Sequence, residues 1–350
     1  MNQITSEQQA FEVIKSVLPD AVLDSHGGVL LGVSDGDDAA VVTLPAGDSL
    51  VIASDFVRGS GFYLFELNLI NYYDVGYYLA VANISDMAAM GAKPLGLLTV
   101  IRYSKQMSID DFRAALQGVK DACSLYQVAV VGGDTGGYHA DVFSATAYGS
   151  VRGQPLCRSG ATPGDRVCLV GEVGLPIAAL AYFKVLRPKG MKVSDEEEQR
   201  LLLSWRRPQA QVLTGQILKM SGCVTACQDV SDGLLATLRQ LGSASNVGWV
   251  VDEEKIPVAD VVVRVAELAG VNPLRLAASA SVDFSLLFTV SPSGVDSLRK
   301  ELASHGLTLV ELGDARSQTG TYMQRPGGLT LMDGVEWQQQ TGDYLAEILK

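Results

Sequence analysis

Across residues 74–94, DVGYYLAVANISDMAAMGAKP, apolar side chains recur at helical spacing with hardly a polar face between them. Val75, Leu79, Ala82 and Met90, with Ala80, Val81 and Ala88 between, predict a helix apolar almost all round, which must lie buried. Asp74 at its front fits a cap, where a carboxylate meets free N–H groups and the positive end of the helix dipole. Asp86 stands so far along the same helix that the two carboxylates are roughly 18 Å apart and cannot share one ion. Asp86 is therefore read as a carboxylate carried on a buried element.

Shorter apolar runs on either side predict strands over residues 39–44, 50–53, 95–102, 128–131, 143–151, 166–170 and 223–227. Helical periodicity appears over residues 6–18, 109–126, 176–185 and 209–220, and again from Leu234 onward. Charged residues 188–200 form a solvated loop or helix, and an aromatic-rich connection spans residues 56–73. Its Phe62, Tyr63, Phe65, Tyr72 and Tyr73 suit either a lid over a bound acceptor or a contact between protomers. Trp249 reads as strand core, and Trp205 to Pro208 as a helix entry with its arginines on the surface. The Gly-, Pro- and Ser-rich segment RGQPLCRSGATPGD, residues 152–165, divides the chain into residues 1–155 and 156–350.

The chain has 350 residues, long enough for two domains, and a formal net charge of −12. That balance argues against a nucleic-acid partner, which needs basic patches. An acidic protein that handles phosphates needs Mg²⁺ to bridge like charges. Five cysteines form no disulfide framework and suit a reducing cytoplasm. Cys223 and Cys227 lack a second ligand pair and read as ordinary thiols rather than a zinc site. No apolar run approaches a membrane span, and the first residues carry no signal-peptide core. A cytoplasmic protein is expected.

One chemical pattern recurs. Apolar runs close on a carboxylate beside Gly or Ser: LVIASD at Asp55, VAVVGGD at Asp134, CVTACQD at Asp229, and GDD at Gly36 to Asp38. Ligands collect at strand ends, where backbone N–H groups are free. Several carboxylates without His or Cys form a site for a hard cation, Mg²⁺ or Ca²⁺. For any single aspartate, turn or cap chemistry explains the pattern equally well. For Asp37, Asp55, Asp86, Asp134 and Asp229 together it does not. Ser231 or Asp232 would equally suit the cap of the helix that follows. The chain has no Walker-type phosphate loop, kinase catalytic loop or dinucleotide fingerprint.

The series GDDAAVV (36–42), SD (54–55), DVGYYLAVANISDMAAMGAKP (74–94), VVGGDTG (130–136), CRSGATPGD (157–165) and DVSDGL (229–234) resembles the thiamine-monophosphate kinases. More broadly, it resembles the superfamily of aminoimidazole ribonucleotide synthetase. The resemblance implies an α+β fold of two domains. The N-terminal one would bind ATP and Mg²⁺ and pack its sheet across a homodimer, and the C-terminal one would be an α/β sandwich. It implies Mg²⁺ ligation by Asp37, Asp55, Asp86, Asp134, Asp229 and Asp232. Nucleotide contacts would come from Gly36, Gly133, Thr135, Ser231 and Arg158, with Asp229, Asp232 and Arg158 at the reacting phosphates. Asp283 and Phe284 fall in the acceptor motif. The γ-phosphoryl group would pass directly to a small-molecule acceptor, which agrees with phosphoryl transfer as positioning plus charge neutralisation.

The departures from that family lie on the acceptor side. Its G-G-x-D-Y-E-L-x-F-T motif reads Ala280-Ser281-Val282-Asp283-Phe284-Ser285-Leu286-Leu287-Phe288-Thr289. A lysine of the family is Tyr78, a histidine Gly61, an acid Thr237, a threonine Gly136 and an arginine Gln211. Three readings stand: a phosphotransferase of this type, a sister enzyme that activates an amide or carbonyl oxygen with ATP, and a nucleotide-binding regulator without turnover.

Overall fold

The computed structural model describes residues 29–31, 40–43, 47–336 and 344–350. The predicted helix at 6–18 and the positions of Gly36 and Asp37 lie outside them. Two mixed sheets carry the fold. The first holds β1 (Val29–Leu31), β2 (Ala40–Thr43), β3 (Asp48–Val57), β4 (Lys93–Tyr103), β5 (Ala129–Gly137) and β6 (Val142–Arg152), in the order β1-β2-β3-β6-β4-β5. All its pairings are antiparallel except β4 with β5. The second holds β7 (Arg166–Val170), β8 (Val224–Asp229), β9 (Gly248–Asp252), β10 (Leu286–Val290), β11 (Val310–Arg316), β12 (Gly320–Arg325) and β13 (Gly328–Leu331), in the order β13-β12-β9-β11-β7-β10-β8. Sheets and helices mix as expected for an α+β fold.

The predicted apolar helix is Tyr72–Ala89, and nearly every residue on it is buried. Its cap differs from expectation. Asn71 is the N-cap, its side chain accepting the Asp74 N–H, while the Asp74 carboxylate accepts the Asn71 N–H in return. Asp74 also binds the Arg207 guanidinium at 2.7 Å, so this arginine stays on the surface, as expected, while it pairs with a buried carboxylate. The helix Ile109–Leu125 packs against it at backbone distance. A Cβ on Gly76 would lie 1.9 Å from the Ala115 carbonyl oxygen, a contact only glycine permits. At the other end Gly215, on helix Val212–Ser221, approaches the Ala88 carbonyl equally closely, and a Cβ there would meet it at 2.0 Å.

Two strands run past the carboxylates expected at their ends. β3 pairs residue for residue with β6 from Asp48↔Arg152 to Val57↔Phe143, so Asp55 lies inside the strand. β5 likewise continues through Asp134 to Gly137. The predicted helix at 176–185 is an α-helix, Leu175–Ala181, that widens into a π turn, Tyr182–Leu186. Pro188 explains the change: its ring crowds the carbonyl of Lys184 and it has no N–H to continue the α pattern. Residues 195–206 form a helix, and Trp205 sits buried at its end rather than at a helix entry. Trp249 is core, as the sequence suggests. Among the described residues no helix is long and apolar enough to cross a membrane.

Candidate active site

Tyr78 marks where the carboxylates meet. Its ring is buried on the helix Tyr72–Ala89, and its phenol is pushed above the ordinary tyrosine range by burial first, then by Asp55, Asp229, Asp232 and Asp283. The charges of four acids from distant parts of the chain thus act on one hydroxyl. The helix holds two of them in place. Asn83 accepts the Asp55 N–H at 3.0 Å while donating to its own helix at the Leu79 carbonyl. Among the described residues β2 pairs with β3 only as far as Ile52, so the Asp55 amide lies beyond that pairing. Ser85, two residues along from Asn83, donates its hydroxyl to the Asp229 carboxylate. Asp86, next to Ser85, is half-buried.

Asp229 ends β8 and is almost inaccessible, and Ser231 Oγ donates to its other oxygen at 3.4 Å. The cap of the following helix, Leu234–Ser245, is Gly233, without a side-chain bond. Neither Ser231 nor Asp232 caps that helix. The half-buried Arg158 lies on the connection between the sheets, stitched to β8 where the Cys227 N–H donates to the Cys157 carbonyl at 2.7 Å. Ser245 Oγ donates to the Arg158 carbonyl.

Asp134 is not brought to this group. Across the first sheet the register runs Asp55↔Ala145, Ala145↔Thr99 and Thr99↔Gly133. Gly133 thus stands three strand spacings, roughly 14 Å, from Asp55. Asp134 follows it, and alternation turns it to the opposite face. Its side chain is 62% exposed and paired with Arg102. Thr135 returns to the face of Gly133. Among the described residues no three His, Cys, Asp or Glu side chains stand close enough to hold one ion together.

A cavity of about 310 Å³ adjoins the carboxylates, lined by Ser231, Asp232 and Tyr78 together with Arg58, Phe62, Tyr63, Lys184, Trp205, Ser281 and Val282 among others. Its aromatic wall is ordered. Tyr78 stacks on Trp205, with centroids 5.8 Å apart and planes at 13°, and Phe62 meets both edge-on. Trp205 is anchored by its indole N–H on the Pro176 carbonyl. Of the aromatic connection, Phe62 and Tyr63 line the cavity, whereas Tyr72 and Tyr73 bond Asp141 and Asp121 in the framework. His139 is exposed on a loop beside Tyr138.

Asp283 and Phe284 lie behind this wall. Phe284 is buried at φ 53°, a left-handed conformation that is strained for a bulky residue, and its ring lies 5.6 Å from that of Tyr78. Its N–H donates to the Val230 carbonyl at 2.9 Å, and the Val230 N–H donates in turn to the carbonyl of the next residue, Ser285, at 2.8 Å. Asp283 accepts the Gly174 N–H at 2.8 Å, and burial pushes its carboxyl up to about 7. Lys184, Arg58 and Trp205 carry no sequence signal, because each enters the cavity from a different segment. Only Pro188, four residues after Lys184, hints at the irregular turn.

Fold and site together define an AIR synthase related protein. The description "AIR synthase related protein, N-terminal domain" fits residues 36–151, and the corresponding C-terminal domain fits residues 162–324. Within that class the chain belongs to the thiamine-monophosphate kinase family. It is 34% identical to the thiamine-monophosphate kinase of Halobacterium salinarum, over 80% of this chain and 87% of that one. The crystal structure of the Stenotrophomonas maltophilia thiamine-monophosphate kinase matches with a TM-score of 0.70 at 27% identity, covering 91% of this chain and 97% of that one. A structure described as AaThiL complexed with AMPPCP and TMP shares the fold, with a TM-score of 0.78 at 24% identity over 95% and 97% of the two chains.

Proposed function

We propose that this chain transfers the γ-phosphoryl group of ATP directly to the phosphate of thiamine monophosphate. Family membership supports the reaction, and one observation carries it onto this site. The cavity that suits an aromatic acceptor is lined by Asp232 and Ser231 as well as by Tyr78, whose hydroxyl also feels the charges of Asp55 and Asp229. Acceptor and triphosphate can therefore meet across Tyr78.

The donor set fits Mg²⁺. Asp55, Asp86, Asp229 and Asp232 offer only oxygen, and Mg²⁺ takes one or two carboxylates with phosphate oxygens completing its shell. A protein cage of three carboxylates is then unnecessary. Bound there, Mg²⁺ would supply charge neutralisation on the β- and γ-phosphates. Asp37 joins the set by its motif, Gly36 and Gly133 lend close backbone approach, and Thr135 and Arg158 are assigned to phosphate contact. Asp134 contributes only if a bound nucleotide reaches the sheet's other face. In this reading Ser85 and Ser231 hold Asp229 oriented, while the aromatic wall fixes the acceptor ring and excludes water.

The same reading includes a homodimer in the cytoplasm, without nucleic acid or membrane as partner. Leu95, Leu98, Val100 and Val130 leave part of the first sheet apolar and exposed, as a sheet that packs on its counterpart would be. Residues 1–155 are assigned nucleotide and metal binding, and residues 156–350 most of the acceptor wall. The synthetase-like and regulatory readings lose ground to family membership.

The test is ADP release from Mg·ATP with and without thiamine monophosphate. The expected result is acceptor-dependent ADP release matched by thiamine diphosphate formation. ATP binding with no stimulation by the acceptor would sink the assignment.

A further inference from the structure

We propose that Lys184 recognises the anionic end of the acceptor and so sets the preference for a phosphorylated ring over the bare ring. The inference rests on the phosphotransferase reading and adds a specificity-determining residue to it. Much of the cavity wall is apolar or aromatic, and its cationic side chains among the described residues are Arg58 and Lys184. The acids that face Tyr78 repel a phosphorylated acceptor. A cation on the acceptor's own side of the cavity offsets that repulsion and orients the phosphate.

Lys184 is built for this position in a way that Arg58 is not. Arg58 is exposed just beyond the end of β3. Lys184 is half-buried on the π turn Tyr182–Leu186, between the buried anchors Tyr182, Phe183 and Leu186. Single π turns inside helices frequently mark functional positions, because the extra residue redirects a side chain. Here the ammonium lies over the ring of Tyr63, 5.2 Å from its centroid, and Tyr63 itself lines the cavity. The aromatic contact steadies the long side chain at the cavity wall. A phosphate monoester on a flat ring matches what the wall presents: aromatic faces from Phe62, Tyr78 and Trp205 for the ring, and Lys184 for the anion.

The experiment is calorimetric titration of the full chain, as wild type, Lys184→Met and Lys184→Arg, with thiamine monophosphate and with thiamine. Mg·ATP affinity serves as the control for a folded nucleotide site. Wild type should bind the phosphorylated ligand roughly tenfold or more tightly than thiamine, as expected for a charge-assisted contact. Lys184→Met should abolish most of that preference, Lys184→Arg should keep it, and Mg·ATP affinity should stay the same in both. An unchanged preference in Lys184→Met overturns the proposal, as does wild type that binds neither ligand or does not distinguish them. Steady-state ADP release separates the two readings. Selective binding without turnover sinks the phosphotransferase and leaves the role of Lys184, whereas turnover with an unchanged preference does the reverse.

Discussion

Asp229 combines near-complete burial with two hydroxyl donors, Ser85 and Ser231. The two hydroxyls fix the orientation of the carboxylate and leave lone pairs for a cation. An asparagine at this position keeps the shape and loses the charge. Asp229→Asn is expected to weaken Mg·ATP binding at least roughly tenfold with little change in thermal stability. Equal Mg·ATP affinity in a calorimetric titration would remove Asp229 from the metal set. Asp283 behaves in the opposite way. Burial raises its carboxyl to about 7, while the Gly174 N–H and the Ser281 hydroxyl pull it down in part. A carboxyl with a folded pKa above its unfolded one favours the folded state at acid pH, and that contribution fades as pH climbs from the unfolded value through about 7. Between pH 5 and pH 8 wild type should therefore lose more thermal stability than Asp283→Asn. Identical slopes of melting temperature against pH would contradict the buried, proton-holding carboxyl.

The helix Tyr72–Ala89 is the element most legible in the sequence, because a pattern apolar on every side has no solution except burial. Strands β7 and β8 were also readable as short apolar runs bounded by glycine or charge. Asp55 and Asp134 were harder to place. A polar residue at the end of an apolar run looks like a strand end, yet pairing with β6 and β4 carries both strands further. Register is a property of two strands and is not written in either one. The cavity was legible only in part. Tyr78 stood out, but Trp205 and Lys184 reach it through a buried helix end and a π turn that local periodicity does not reveal. Glycines on helices are informative in hindsight. Gly215 looks like a helix weakness, yet it is the point where helix Val212–Ser221 lies against the Ala88 carbonyl. Gly215→Ala forces backbone apart and is expected to cost roughly 1–3 kcal/mol, read as a lowered unfolding midpoint in urea. Because this contact joins the helix that carries Asn83 and Ser85 to the C-terminal half, acceptor-dependent turnover should fall as well. Unaltered stability would show that the helices part without penalty.

At the scale of the whole molecule, a net charge of −12 and a convergence of carboxylates would repel a triphosphate without a bridging cation. In the proposed reading the protein's acidity is therefore tied to divalent metal rather than to solubility alone. The same scale decides what covers the first sheet. One face packs on the helices Tyr72–Ala89 and Ile109–Leu125, with Val51, Ala53, Leu97 and Ile101 buried. On the other face Leu98 and Val100 remain exposed, although they sit beside Thr146 and Ser144 on a strand paired on both sides rather than on a fraying edge. A strand paired on both sides that exposes aliphatic residues is suited to a second apolar surface, and a two-fold pairing supplies one by presenting the same face twice. A carboxylate placed there meets its own copy across the axis, so like charges are desolvated together. Val100→Glu is thus expected to shift the protein from dimer to monomer in light scattering at micromolar concentration, with the monomer's secondary structure intact. Because Tyr78 and Lys184 lie on the helix side, calorimetric binding of thiamine monophosphate should persist in that monomer. A wild-type chain that already scatters as a monomer would show that this face has another partner, and a Val100→Glu chain that still scatters as a dimer would place the contact elsewhere.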